Sequence, residues 1–354
     1  MEIKTPDLSK TASYDYFLPQ ELIAQNPAEP RDSSRLLVLD RKSGSTQHRI
    51  FREITEYLHD GDLLVMNDTR VLPARVEGHK ISESGCGAKA EILFLNPGKE
   101  YNEWTALVRP GRKLPEGTKV AISDDIIVTV GRCLEDGLRS VRFADGADPL
   151  ALLHEFGHVP LPPYIKKTDA ESERYQTVYA KREKENSAAA PTAGLHFTPG
   201  LLKRLDENGV RHKFVTLQVG LGTFRPVKAE NISEHIMHTE FCELVQETAD
   251  AINETKRRGG RVVAVGTTVV RTLESFAQQF GEIREGTLST KLFITPGYGF
   301  EVIDALITNF HLPMSTLLML VSAFAGYSNI MNAYREAVEK RYRFFSFGDA
   351  MFIE

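Results

Sequence analysis

The sequence predicts a mixed α/β core domain with an all-β, barrel-like domain inserted into it. Three observations carry this. Short apolar runs alternate with helix-period segments near the start of the chain. The helical period then disappears from about Ala74 to Pro149, where β-type runs separated by turn clusters take over. After Pro149 the alternation returns. The economical division is a discontinuous core, residues 1–73 and 150–354, around an insertion at 74–149.

In order along the chain, the core opens with a strand at 36–39, a helix near 51–58 and a strand at 62–66, with His59-Asp60-Gly61 as the turn before the last. The insertion carries runs at 91–95, 104–108, 119–122, 126–130 and 138–143. Clusters such as Asn96-Pro97-Gly98 and Leu114-Pro115-Glu116-Gly117 divide them, a spacing that suits a small barrel or sandwich. Beyond it, 201–208 reads as a helix stopped by Gly209 and 213–219 as a strand. Val245, Ala249 and Ile252 mark one helix face. A buried strand at 262–265 runs into a helix from Thr268 to about Gln278, and helices near 315–325 and 329–341 precede a terminal strand.

Bulk properties exclude several classes. With 354 residues, 42% hydrophobic and 26% charged, the chain is neither disordered nor collagen-like. Its longest apolar run, 317–324, falls far short of the ~20 residues of a membrane span. The first ten residues are polar and do not read as a signal peptide. Cys86, Cys133 and Cys242 are scattered and odd in number, which fits a reducing cytoplasm without a disulfide framework. A net charge of -5 requires any nucleic-acid contact to be made by a local basic surface.

Several stretches invite chemistry. His154-Glu155-Phe156-Gly157-His158 matches the zinc-peptidase pattern, which needs both histidines on one helical face. Gly157 and the prolines 160, 162 and 163 oppose such a helix, so no metal is expected. Val262–Thr268 is a strand running into a small-residue turn and a helix, whose first N–H groups suit a carboxylate or phosphate as well as they suit a plain tight turn. It is neither a Walker loop nor a dinucleotide fingerprint. Asn67-Asp68-Thr69-Arg70 follows a strand, where α/β sites usually sit. Histidines fall in loops at element ends: His196 in a Gly-containing loop, His235 and His238 beside Glu240, and His311 after another strand. A lone histidine is more often structural, but four in such places point to a site. Two segments mix basic residues with aromatics, 164–184 and 334–345. The plain alternative is a solvated charged face, and Asp169, Glu171, Glu173 and Glu183 dilute the first. The pattern also suits a single-stranded RNA loop.

Taken together, these stretches resemble the S-adenosylmethionine:tRNA ribosyltransferase-isomerase family of queuosine biosynthesis. The resemblance runs almost end to end. It includes LIAQNPAEPRDSSRLLVL at 22–39, GDLLVMNDTRVLPA at 61–74, PLPPYI at 160–165, RYQTVYA at 174–180 and APTAGLHFT at 190–198. It continues with VGLGTFRP at 219–226, HIMHTE at 235–240, VGTTVVRTLE at 265–274, FITPGYG at 293–299, LITNFHLPMSTLLMLVSAF at 306–324 and YRFFSFGDAM at 342–351. Coverage is weakest at 79–89.

The resemblance implies a cytoplasmic monomer with an inserted β-barrel, no prosthetic group and no metal. It implies S-adenosylmethionine as co-substrate and, as partner, a tRNA anticodon stem-loop carrying 7-aminomethyl-7-deazaguanine at the wobble position. The ribosyl moiety would be transferred to the aminomethyl group and isomerised to epoxyqueuosine, with adenine and methionine released. A sulfonium acidifies its neighbouring 5′ carbon, adenine leaves better when protonated, and the attacking amine must be neutral, so several proton carriers are needed. Asp68, His196, His238, Glu240 and His311 are the matched titratable groups, with the roles left undistributed. Gly266, Thr267 and Thr268, with Arg271 as counter-charge, are assigned to the methionine carboxylate. Arg174, Tyr175, Lys181, Arg182, Arg341 and Arg343 are assigned to the RNA loop. The rival readings are a conventional methyltransferase, a zinc metallopeptidase and a non-catalytic RNA-binding protein.

Overall fold

The computed structural model describes residues 6–82, 85–220, 227 and 229–354. The start of the polar N-terminal stretch and most of VGLGTFRP lie outside the described residues. Strands in chain order are β1 (Arg35–Leu39), β2 (Thr46–Ile50), β3 (Leu63–Asn67), β4 (Arg70–Val71), β5 (Arg75–Ser82), β6 (Gly85–Pro97), β7 (Glu103–Arg109), β8 (Lys119–Ala121), β9 (Ile127–Cys133) and β10 (Arg139–Arg142). They continue as β11 (Glu185–Ser187), β12 (Arg211–Leu217), β13 (Glu240–Leu244), β14 (Val262–Val265), β15 (Gly286–Thr290), β16 (Ala305–Asn309) and β17 (Ala350–Ile353). The α-helices are α1 (Pro149–Phe156), α2 (Pro199–Glu207), α3 (Gln246–Arg257), α4 (Thr267–Phe280), α5 (Thr316–Ala325) and α6 (Tyr327–Glu339).

Two compact units form. The first comprises Met1–Thr69, Pro162–Lys184 and Ala190–Glu354, and the second Arg70–Leu161 with Glu185–Ala189. The first is built on a nine-stranded sheet of order β15-β13-β12-β3-β14-β16-β17-β1-β2. Its central strands β12, β3, β14 and β16 are mutually parallel, while β17 runs antiparallel to β16. Period-two alternation places Leu64, Met66, Val263, Val265, Ala305 and Ile307 on one face, where they share a core with Phe51, Ile54, Phe197, Leu201 and Leu205. Helices α3 and α4 pack against β12, β3 and β14. The segment expected to be a helix near 51–58 is a 3₁₀ stretch, Phe51–Glu56, too short to propagate an α-helix. Strands β2, β13 and β15 were not legible in the pattern. They are short and polar on one or both faces, and β2 and β15 are the sheet edges. No helix among the described residues is long and apolar enough to cross a membrane.

The second unit contains a closed six-stranded barrel of order β10-β7-β6-β5-β8-β9, with every pair antiparallel. Alternate residues fill it: Trp104, Ala106 and Val108 on β7, Val128 and Val130 on β9, with Phe94 stacked on Phe143 at 5.0 Å. The five runs read in the insertion fall on five barrel strands. The sixth, β5, went unread because Gly78 and His79 interrupt its alternation.

Helix α1 also belongs to this unit and explains the false zinc pattern. Asp148 Oδ1 caps its start by accepting the Leu150 and Ala151 N–H groups, and the helix stops at Phe156. His154 is on its last turn and pairs with Glu185 at 2.9 Å. His158 lies beyond it in a bridge to Arg75, so the two histidines do not share a helical face. Gly157 is required by close approach: a Cβ there would lie 1.7 Å from the Pro73 carbonyl oxygen and 2.3 Å from that of Leu153. Gly157→Ala is therefore expected to destabilise the unit by about 1–3 kcal/mol, an overpacking cost. Chemical denaturation of the variant checks this, and an unchanged midpoint would contradict the close approach.

Candidate active site

Because β12, β3, β14 and β16 are parallel, their C-terminal ends open on one edge of the sheet, where ligands of open α/β sheets bind. The connectivity brings other chain segments to the same edge. Glu240, the first residue of β13, pairs with Thr290, the last of β15, and Ser34 immediately precedes β1. Every residue assigned to chemistry or binding from the sequence lies in the first unit.

Asn67 organises the centre of this edge. Fully buried at the end of β3, it donates Nδ2–H to the Leu217 carbonyl (3.1 Å) and to Thr268 Oγ1 (3.3 Å). Its Oδ1 accepts the Leu217 and Thr69 N–H groups (3.1 and 3.2 Å). One side chain thus ties β3 to β12 and to the start of α4. Gly266 precedes that helix with φ of 94°, a conformation open to glycine, and donates its N–H to the Ile307 carbonyl at 2.8 Å. The N-cap residue of the helix is this glycine, so no N-cap side chain accepts from the N–H groups of the first turn.

One turn into α4, Arg271 is buried and forms an ion pair with buried Glu240. Arg271 Nε–H also donates to the Leu292 carbonyl at 3.1 Å, and Glu240 Oε1 accepts the Gly220 N–H at 3.2 Å. Arg271 Nη2 is buried and has no hydrogen-bond partner among the described residues. The pair forms the polar end of a recess of about 560 Å³ whose apolar walls include Leu292, Phe293, Ile294, Leu317 and Leu320; His235 and His238 also line it. That mixture of apolar walls and a charged end suits a small organic ligand. Gly266, Thr267 and Thr268 do not line it; of the four residues assigned to the carboxylate, Arg271 alone does.

Glu274 holds the far end of the segment that carries the wall residues Leu292, Phe293 and Ile294. Fully buried on α4, its carboxylate accepts N–H groups from Glu301 (3.0 Å), Val302 (3.0 Å) and Ile303 (3.2 Å), and the Tyr298 hydroxyl at 3.4 Å. With Arg271 holding Leu292, α4 anchors the 292–303 segment at both ends. Sequence reading noted Glu274 only as part of a helix.

The remaining candidates differ in kind. Asp68 is buried, accepts the Thr216 hydroxyl at 2.7 Å and pairs with Lys181 at 3.0 Å, in a groove also lined by Lys184, Lys213 and Phe214. His196 is buried with both ring nitrogens engaged, Nδ1 with Ser34 Oγ (2.7 Å) and Nε2 with Asn309 Nδ2 (3.1 Å). Asn309 Nδ2 also donates to the Phe345 carbonyl at 3.2 Å, which fixes the amide orientation. Nε2 of His196 is therefore the acceptor and Nδ1–H the donor. His311 is buried, with Nε2 3.0 Å from Thr308 Oγ1. Burial above all, with Arg343 and Arg31 nearby, holds the His196 pKa down to about 3; burial alone does the same for His311. Asn67 and Asn309, the last residues of β3 and β16, and Ser34, just before β1, carry much of this geometry, and neutral side chains at strand ends give no titration or spacing signal.

The RNA-facing assignments separate on exposure. Arg182 and Arg341 are exposed, and Lys181 is partly so. Arg343 clamps the chain instead, pairing with buried Asp349 at 3.1 Å. Arg174 donates to the Ala28 carbonyl at 2.6 Å and pairs with Glu29 at 3.1 Å. Tyr175 must be corrected: it is 0% exposed and packs edge-on against Phe347, so no ring face is open to a stacking base.

The geometry has known relatives. A family described as queuosine biosynthesis protein matches residues 11–353. A protein of Thermotoga petrophila named S-adenosylmethionine:tRNA ribosyltransferase-isomerase is 55% identical over 345 residues, covering 97% of this chain and 99% of that protein. One of the same name from Moorella thermoacetica is 54% identical, covering 96% and 98%. The crystal structure of S-adenosylmethionine tRNA ribosyltransferase from Thermotoga maritima is similar with a TM-score of 0.56 and 44% identity, covering 97% of this chain and 100% of that one.

The two buried histidines predict an acid sensitivity. Their folded pKa values lie below the unfolded value near 6.5, so the unfolded chain binds more protons in the window between. Their contribution is complete above pH ~6.5 and lost as pH falls toward 3, with a slope approaching about 1.4 kcal/mol per pH unit for each. Urea midpoints measured from about pH 7.5 down to pH 5 should fall, and fall less steeply in His311→Gln. A flat profile in the parent protein would contradict the burial of both rings as neutral groups.

Proposed function

The chain belongs to the queuosine biosynthesis protein family and is a transferase. From that premise we propose that it moves the ribosyl moiety of S-adenosylmethionine to the aminomethyl group of 7-aminomethyl-7-deazaguanine at the wobble position of tRNA. The product is epoxyqueuosine, and adenine and methionine leave. Two bonds to the ribosyl unit break, one to adenine, which takes up a proton, and one to sulfur, which keeps the electron pair. The amine nitrogen exchanges a proton for a bond to carbon, and the isomerisation exchanges a 5′ C–H for a ring-closing carbon–carbon bond, so that one proton is released.

The observation that carries this reading is the recess closed by the Glu240–Arg271 pair. Arg271 Nη2 lacks an acceptor in a buried place, and a carboxylate supplies one. The apolar walls around Phe293 and Leu317 suit the flat face of a purine. In this reading Arg271 holds the amino-acid end of the co-substrate, with Glu240 keeping the guanidinium oriented. In the same reading His238, which lines the recess, and Asp68, which pairs with Lys181, transfer the protons. His196, with both nitrogens occupied, positions Asn309 at the sheet edge. Lys181, Arg182 and Arg341 meet the RNA backbone.

Product balance tests the reaction. Free adenine and free methionine are expected in equal amounts, one of each per modified nucleoside. Accumulation of S-adenosylhomocysteine, with adenine still attached to ribose, would identify a methyltransferase and overturn the proposal.

A further inference from the structure

A second, smaller recess lies beside Ser34 and His196, at the sheet edge but built from different residues. Its lining includes Arg31, Arg174, Ser346 and the backbone at Gly348, and no carboxylate is among its lining residues. The recess opens to solvent, and its empty volume with that open space included is about 210 Å³.

The two arginines are incompletely satisfied. Among the described residues Arg31 has no ion pair; it donates only to the Leu195 and Glu173 carbonyls, at 3.4 and 3.3 Å, which is long for a charged donor. Arg174 uses Nε on Glu29, a side chain 77% exposed, and Nη2 on the Ala28 carbonyl. Its Nη1 is buried without a partner. Burial and then repulsion from Arg174 bring the Arg31 pKa down to about 10, with Glu29 and Glu173 only partly offsetting this. The cations of the neighbouring groove behave differently: Lys181, Lys184 and Lys213 are paired with Asp68, Glu243 and Glu247. Two adjacent guanidiniums with spare donors in a recess lacking a carboxylate are short of an anion.

We propose that this recess is a phosphate site, in which Arg31 and Arg174 together hold one phosphate group. The source that fits the reading of the protein as a tRNA-modifying enzyme is an RNA backbone phosphodiester, and the inference rests on that reading for its source only. A free phosphate ion offers the same chemistry.

The test titrates the full-length protein and its Arg31→Gln variant with an anticodon stem-loop RNA over a salt series, and separately with inorganic phosphate. An RNA phosphate in the recess predicts several-fold weaker stem-loop binding by the variant and a slope of log affinity against log salt reduced by about 0.7–0.9. Arg31→Lys, which keeps the charge without the fork, should retain the slope and lose affinity; it also serves if the glutamine variant folds poorly. Arg31-dependent binding of inorganic phosphate with an unchanged RNA slope would keep the site and assign it to a free anion. Wild-type protein that bound no stem-loop would defeat the tRNA reading, yet phosphate binding lost in the variant would still support the recess. Unchanged RNA slope together with unchanged phosphate binding would overturn the proposal.

Discussion

The arrangement of the larger recess depends on a buried ion pair, Glu240 with Arg271. Two charges withdrawn from water are stable only while each satisfies the other, and removing one partner from such a pair typically costs about 3–5 kcal/mol. The pair therefore couples the start of β13 to the first turns of α4. Its leftover valences do the rest: Arg271 Nε fixes the chain at Leu292, and Glu240 Oε1 fixes it at Gly220. What remains, Arg271 Nη2, is a buried directional donor without a partner among the described residues. Ligand recognition then needs no rearrangement of the guanidinium, whose position is already determined by the fold.

Around that charged pair the sheet edge is held by neutral groups. Asn67 bridges two strands and a helix start with four hydrogen bonds, and Asn309 connects His196 to the Phe345 carbonyl. Amides suit these positions because each offers both donors and acceptors without the desolvation cost of a charge. His196, which Asn309 meets, stays neutral for the same reason. Glu274 is the exception, a buried carboxylate stabilised by three converging backbone N–H groups, and its charge is spent on fixing a loop.

Much of the fold was legible because it follows from periodicity. The buried strand at Val262–Val265 has the bounds its apolar run suggests, and the helices around α4, α5 and α6 follow their apolar stripes. The polar edge strands β2 and β15 and the Gly-containing β5 left no such trace, since pairing with neighbours, which sequence spacing does not reveal, makes them strands. The site was legible where it uses charge: Asp68, Glu240 and Arg271 stand at the edge the strands create. It was not legible where the same residue type serves packing. Tyr175, assigned to the RNA loop, is a core ring, and Arg343 is half-buried in an ion pair with Asp349, because composition cannot tell a basic–aromatic surface from side chains engaged within the fold. Arg31 sits between Pro30 and Asp32, and only the fold shows that it shares a recess with Arg174.

The central claim is that the Glu240–Arg271 recess receives S-adenosylmethionine, and a crystal structure of the enzyme with that co-substrate tests it most directly. The account predicts the amino-acid carboxylate within hydrogen-bonding distance of Arg271 Nη2, and the adenine against the apolar wall formed by Phe293 and Leu317. A co-substrate bound elsewhere on the sheet edge, with Arg271 still engaged only by Glu240 and the Leu292 carbonyl, would contradict it.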